Sequence, residues 1–491
     1  MRTVLAGMLG VLLLGPGLLV AGCGDPDDVD VPVDGPSLAA AVDPDTAFGD
    51  LEQLQRIADE HGGNRAVGTP GYDASVDYVV GQLEDAGFDV DTPEFAVDVF
   101  TVQAETLRVG GRDVPTTTLG YSPSTPPGGL TARLVPLAPG EAPGCDASSY
   151  DGLDASGAVV LVDRGGCPFA RKQQVAADRG AAAVVVADNV DEDLIGGTLG
   201  GRDAARIPSA AVTQADGAAL RDAANDTAVT LVLDTTTDSA VSRNVIAQTR
   251  TGDGGNVVMA GAHLDSVPAG PGIDDNGSGV AALLETARAL GASPEISNAV
   301  RFAFWGAEEV GLVGSEAYVA GLDDAARADI ALYLNFDMVG SHNAGYFVYD
   351  GDDSDAVGEG PGPDGSAGIE RAFEAILLQS GTSPDGTDFD GRSDYGPFIA
   401  AGIPAGGLFT GADETKTAAQ ARKWGGDADT MFDPNYHTVR DTLDAVDRAA
   451  LDTNVRTIAY GIGQYAQSID GPNGVPDAGD ARATARAGTP K

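Results

Sequence analysis

The sequence predicts an α/β protein in which a three-layer, doubly wound mixed sheet is interrupted by a β-rich insert. Three observations carry that expectation. From Ser242 onward, short apolar runs alternate with stretches of helical periodicity, the pattern of strands joined by crossover helices. Between residues 103 and 238 that alternation gives way to short strand-like runs divided by Gly and Pro. Residues 44–102 already carry two apolar helical stripes, so they begin an α/β layer that is not completed before the insert.

The chain opens on what reads as export machinery, residues 1–22. Arg2 is the sole early charge, and the apolar run 4–20 is broken by Gly10, Gly15, Pro16 and Gly17. That run is marginal for a spanning helix, which needs about 20 mainly apolar residues. It ends in Val20-Ala21-Gly22-Cys23, which resembles the bacterial lipobox, whose cysteine is lipidated after cleavage before it. An ordinary signal peptide or an uncleaved anchor is the alternative. An acidic, Pro-containing linker, 23–43, would follow.

In the first α/β segment, 48–58 and 72–86 have helical spacing; Tyr72, Val76, Val79, Val80 and Leu83 form one stripe. Residues 64–71 are a turn-rich connection, and 88–102 alternates as an edge strand would. The insert, 103–238, contains strand-like runs at 130–137, 158–162, 181–187, 207–212 and 229–233, with a helix at 170–180. No constellation of His, Glu or nucleophile stands in it. The second α/β segment, 239–470, has strands at 245–248, 257–262, 300–305, 330–336 and 405–409. Helices are expected after Ser278 (Val280, Leu283, Leu284, Ala287, Leu290), at 369–379 and at 449–467. The Gly-, Pro- and Ala-rich end, 471–491, reads as disordered.

Composition narrows the function. With 74 acidic against 29 basic residues the net charge is −45, the opposite of a nucleic-acid footprint. The three cysteines are Cys23, Cys145 and Cys167. If Cys23 takes lipid, an even pair remains that an extracytoplasmic compartment would oxidise, two unpaired buried thiols being the alternative.

The chemistry-bearing residues share one placement. His263 and Asp265 stand at the end of the 257–262 strand, Glu308 and Glu309 past 300–305, Asp337 past 330–336, and Asp275 in the loop before a helix. Carboxyl ends of strands are where open α/β sheets bind ligands. The chain has four histidines; His61 and His342 lie outside any strand-end acidic cluster, whereas His437 sits in the loop 433–438. Imidazole and carboxylate without thiolate is the ligand set of a catalytic zinc site. A carboxylate shared by two ions would hold them about 3.5–4 Å apart. The competing reading is a solvated loop in a very acidic protein; Trp305 reads as core.

At these residues the chain resembles the M28 metallopeptidases, in particular the leucyl aminopeptidases of the Streptomyces and Aeromonas kind. The resemblance rests on GAHLD (261–265), GIDDNGSG (272–279), and segments 304–314, 334–340, 391–398, 432–438 and 64–90. The insert resembles a protease-associated (PA) domain, with Cys145 and Cys167 placed like that domain's disulfide. The resemblance implies a zinc-exopeptidase fold with two Zn2+ per chain: His263 and Asp337 on one ion, Glu309 and His437 on the other, Asp275 bridging. Glu308 would be the general base for a metal-bridging water, and Asp265 would orient the ligand histidine. Arg392 and Tyr436 would hold substrate and stabilise the oxyanion. Asp265 capping a turn, Arg392 in a structural ion pair and Tyr436 packing beside the loop are the alternatives. Asp274 is often Asn in relatives.

The implied protein is an extracytoplasmic, monomeric aminopeptidase, lipid-anchored or secreted. It would act on peptide or protein N-termini, remove apolar residues, and meet the membrane only through its lipid. A carboxypeptidase or dipeptidase of the same family, a glutaminyl-cyclase-like enzyme and a non-catalytic binding protein are the rivals.

Overall fold

The computed structural model describes residues 33–189, 197–222, 228–358, 360–476 and 482. The expected signal segment and Cys23 lie outside the described residues.

Eight strands form the main sheet, in the spatial order Val90–Asp91, Val245–Gln248, Asn298–Trp305, Asp253–His263, Ile330–Phe336, Ala405–Phe409, Phe347–Tyr349 and Asp385–Thr387. The middle four are mutually parallel. Val90–Asp91, Val245–Gln248 and Phe347–Tyr349 pair antiparallel at the flanks, so the sheet is mixed. Side chains alternate strictly across it, the period-2 consequence of the pleat. Val258, Ala260, Ala262, Val300, Phe302 and Phe304 enter the core shared with helices Pro44–Glu60, Pro70–Asp85, Gly279–Leu290, Ser366–Gln379 and Arg448–Gln467. Val257, Met259, Ala303, Trp305 and Tyr333 enter the opposite core with Val319 and Phe398, from helices Val313–Gly321 and Tyr395–Ala400. These are the three layers.

Strand Asp253–His263 lies between Asn298–Trp305 on one side and Ile330–Phe336 on the other. The chain therefore crosses first one way and then the other, leaving a crevice at this strand's carboxyl end. That end is His263.

The insert has its own eight-stranded sheet and two apolar clusters of its own. A long ribbon joins it to the main domain: Glu94–Val109 runs antiparallel to Ala228–Arg243, from Glu94 opposite Arg243 to Val109 opposite Val229. This corrects the reading of 88–102 as an edge strand of the first domain. Only Val90–Asp91 joins the main sheet, and residues 94–102 belong to the ribbon. Alternation reports a strand but not its partner, because both sheets impose the same period. The boundaries expected at 102/103 and 238/239 both fall inside the ribbon. Cys145 and Cys167 are disulfide-bonded, with Cα atoms 5.9 Å apart.

Two further expectations shift. Inside the expected linker, Gly35–Ala41 is a helix, capped by the Asp34 carboxylate accepting the Ser37 amide, and Leu38 and Val42 pack into the main core. In the tail expected to be disordered, residues 471–476 are ordered, and Val475, 7% exposed, joins the same core. One or two apolar anchors in a polar stretch leave no periodicity to read.

Candidate metal centre

Four loops at the carboxyl edge of the sheet deliver the site. His263 ends its strand, 1% exposed, and points Nε2 at Asp275 Oδ1 (3.1 Å) and Asp337 Oδ1 (3.2 Å). His437 Nε2 reaches Asp275 Oδ2 (3.1 Å) and Glu309 Oε2 (3.0 Å). Asp275 thus offers one oxygen to each imidazole. Glu308 Oε2 lies 3.9 Å from His263 Nε2. The residues expected as ligands are brought together, in two trios that share Asp275, with ligand atoms of each trio within 4.8 Å of one another.

Local backbone aims these groups. Ala307, Met338 and His437 have φ of 62°, 52° and 56°, so a non-glycine left-handed residue sits in each of three site loops. Such residues cost of order 1–3 kcal/mol each and persist where surrounding structure over-determines them. Asp265, fully buried, accepts the amides of Glu308 (3.1 Å) and Glu309 (3.3 Å), which sets the direction of both side chains. Its own backbone carbonyl meets His263 Nδ1 at 3.1 Å, and its carboxylate lies 3.8 Å from the same nitrogen. Asp265 therefore organises two loops at once.

The electrostatics are those of acids crowded around two bases. Burial opposes charge on His263, yet Asp337, Glu308 and Asp275 raise its pKa well above the ordinary value. His437, whose side chain keeps 40% exposure, is likewise raised, to about 11, by Glu309 and Asp275 against its partial desolvation. Burial and neighbouring carboxylates push Glu308 well up and Glu309 to about 7. Asp275 goes the other way: hydrogen bonds and charge from both imidazoles hold it well below the carboxylate range despite burial.

A divalent cation fits these residues. Glu309 Oε1 and Asp337 Oδ1 are buried without a hydrogen-bond partner, a costly state for a carboxylate oxygen unless something else binds it. Tetrahedral zinc with bonds of about 2.0–2.1 Å has ligand–ligand edges of about 3.3–3.4 Å. The four imidazole–carboxylate separations of 3.0–3.2 Å lie close to that edge.

The site opens on a cleft whose empty space, open solvent at its mouth included, is ≈ 530 Å³. Asp275, Glu308, Asp337 and His437 form its floor, and Met338, Tyr349, Tyr395, Phe409 and Tyr436 supply apolar wall. Arg392 stands at the rim, donating to Tyr436 Oη (3.3 Å) and paired with Asp413 (3.2 Å). The Tyr436 ring stacks on His437, centroids 3.8 Å apart. His61 and His342 are elsewhere, bonded through Nδ1 to the carbonyls of Ile57 and Ala445. Trp305 is core, with no exposure.

Sequence reasoning missed several supports. Ser393 donates to Asp337 Oδ2 (2.6 Å), and Asp441 accepts the amides of Asp274 (2.8 Å) and Asp275 (3.1 Å). Asp394, buried and held by Ser315 (2.5 Å), is pushed to about 7 by burial and by its neighbours Asp337 and Asp265. Arg65 is wholly buried behind the His263–Asp275 loop. Ser393 and Asp394 lie in the recognised segment 391–398, but a single residue type carries no signal of burial.

Comparison with known proteins agrees with this geometry. The model of peptidase family M28 matches residues 244–462, and that of the PA domain matches residues 130–220. A probable lipoprotein aminopeptidase LpqL of Mycobacterium tuberculosis is 57% identical over 443 residues, covering 90% of this chain and 88% of that protein. Leucine aminopeptidase 2 of Trichophyton rubrum is 41% identical, covering 86% and 84%. Among solved structures, the aminopeptidase from Aneurinibacillus sp. strain AM-1 superposes with a TM-score of 0.72 at 28% identity, covering 88% of this chain and 96% of that one. BSAP, a zinc aminopeptidase from Bacillus subtilis, superposes at 0.66 and 25%, covering 88% and 97%. With relatives this similar over nearly their whole length, and with a metal-ready acidic cluster at the switch point of its sheet, the chain belongs to peptidase family M28 and is a metallopeptidase carrying an inserted PA domain.

Proposed function

We propose that this protein is a two-zinc aminopeptidase that removes apolar residues from the N-termini of peptides. The observation that carries the reading is the pair of trios sharing Asp275, each ending on a buried carboxylate oxygen without a hydrogen-bond partner. His263 and Asp337 would hold one ion and His437 and Glu309 the other, with Asp275 shared between the two sets. When bound, the zinc ions acidify the attacking water and polarise the scissile carbonyl. Glu308 takes the proton from that water and delivers it to the leaving amine; burial and the neighbouring carboxylates raise its pKa above the ordinary value, the direction that favours handing the proton on. Asp265 keeps His263 and the Glu308–Glu309 amides in register. Tyr436, steadied by Arg392, donates toward the oxyanion. Carboxylates at the cleft floor meet the substrate's ammonium group, and Met338, Tyr349 and Phe409 accept its apolar side chain.

The names of the relatives support aminopeptidase chemistry, and one supports a lipoprotein. We extend that to this chain: signal segment 1–22, lipid on Cys23, a PA insert entered and left through the ribbon 94–109/228–243, and action outside the cytoplasm as a monomer. Processing of a Cys23→Ala chain tests the anchor; normal membrane attachment would overturn it.

Release of chromophore from leucyl-p-nitroanilide, before and after chelation and zinc return, tests the activity. Loss on chelation and recovery with about two equivalents of zinc is the expected result. Equal turnover of an N-blocked substrate would replace the aminopeptidase with another exopeptidase of the family. A protein that binds no zinc would overturn the reading altogether.

A further inference from the structure

Arg65 is 0% exposed and has no carboxylate at ion-pair distance among the described residues. Three of its five N–H donors are taken by carbonyls of one short loop: Nε donates to Pro271 O (2.9 Å), Nη2 to Gly272 O (2.5 Å) and Nη1 to Leu264 O. Its backbone amide donates to Ser266 Oγ (2.9 Å), and Ser266 returns its own amide to Arg65 O. That loop joins His263 and Asp265 to Asp275. Its two ends are therefore tied together by one rigid, planar donor fork, a geometry the point charge of lysine does not reproduce.

The loop is held with opposite polarity from the other side. Asp441 accepts the amides of Asp274 (2.8 Å) and Asp275 (3.1 Å), so the loop's carbonyls face a guanidinium and its amides face a carboxyl group. Gly272 shows how tight the clamp is. At φ +64°, a Cβ there would sit 3.2 Å from Arg65 Nη2 and 2.5 Å from Asp275 O. A fully buried cation given only carbonyl dipoles is costly unless it answers nearby negative charge. The groups that answer Arg65 are Asp441, Asp265, Asp275 and Glu309, residues of the site itself and of its support.

We propose that Arg65 is a positioning residue for the metal centre: by binding the carbonyls of Leu264, Pro271 and Gly272 together, it sets the separation between His263 and Asp275. This rests on the metal-centre reading above. Arg65 touches neither substrate nor ligand atoms; it acts through the loop.

The test uses the full-length protein with Arg65→Lys and Arg65→Met. Amide hydrogen exchange of the metal-free chains is compared over residues 264–276 and over helix Gly279–Leu290. Zinc affinity is measured by competition with a chromophoric chelator, and kcat and KM at saturating zinc. The expected result is exchange at 264–276 about tenfold faster or more, unchanged exchange in the helix, and zinc affinity lower by about 10–100-fold. At saturating zinc, kcat should fall while KM stays near that of the parent, with Lys less impaired than Met. Unchanged exchange and affinity in either folded variant would overturn the proposal. So would exchange raised evenly through the domain, or failure of both variants to fold, since each assigns Arg65 to the core of the fold instead. If the parent chain itself binds no zinc, the proposed function fails, and the exchange comparison alone decides whether Arg65 holds the loop.

Discussion

Ser393 donates its hydroxyl to Asp337 Oδ2 at 2.6 Å, and Asp337 Oδ1, left without a hydrogen bond, faces His263 Nε2 at 3.2 Å. The direction of that donation is imposed from the core. Trp305 Nε1 can only donate, and does so to Tyr333 Oη (2.8 Å); Tyr333 donates to Asn335 Oδ1 (3.1 Å), and Asn335 Nδ2 donates to Ser393 Oγ (2.8 Å). Ser393 then has its one proton for Asp337. One oxygen of Asp337 is occupied and the other is presented.

Removing that last donor, Ser393→Ala, should weaken zinc binding by about 10–100-fold and leave the apolar core unchanged. Chelator competition beside a thermal scan of the metal-free protein measures both. An unaltered zinc affinity would remove Ser393 from the site's support.

Glu308→Gln is near-isosteric and cannot take a proton. Turnover of leucyl-p-nitroanilide should fall by at least about 10²–10⁴-fold with zinc content unchanged. A variant that keeps its rate would strip Glu308 of the base role.

The metal-free protein should lose stability as pH rises from about 5 to 8. Glu309 and Asp394 at about 7 and Asp441 at about 8 are all raised in the fold, chiefly by burial, so the folded chain binds protons in this window that the unfolded chain has released. Stability then falls with pH. His437, raised to about 11 by Glu309 and Asp275 against its partial desolvation, acts in the same direction: its contribution is full below the ordinary histidine value and declines above it. Asp275, lowered, changes only at more acid pH. Zinc replaces those protons, so the rise in Tm on adding zinc should grow between pH 5 and 8. A rise that is constant or shrinks with pH would show that these groups do not titrate as their surroundings require.

Breaking the Cys145–Cys167 bond with paired serine substitutions should destabilise the insert by about 2–5 kcal/mol. Because the insert has its own apolar clusters, separate from the core behind His263, the folded protein should keep its kcat. Urea unfolding followed beside activity separates the two effects. A matching loss of kcat would mean that the ribbon transmits strain to the Glu308 loop.

The sequence by itself determined the α/β class, the succession of strands and helices, and the placement of His263, Asp275, Glu308, Glu309 and Asp337 just past strand ends. It could do so because pleat and helix periods are local, and strand ends in a doubly wound sheet converge whatever the details. Histidine scarcity likewise left His437 as the natural second imidazole. Tertiary structure alone decided that 94–102 belongs to the insert's ribbon, that helix Gly35–Ala41 and Val475 close the core, and that Asp275 gives one oxygen to each imidazole. It also decided that Arg65, Ser393 and Asp441 stand behind the ligands. Those are matters of partner and direction between residues far apart in the chain, such as Arg65 and Gly272, 207 apart. A burial or a hydrogen bond at that separation leaves no mark on local periodicity, because it is set by how whole layers pack.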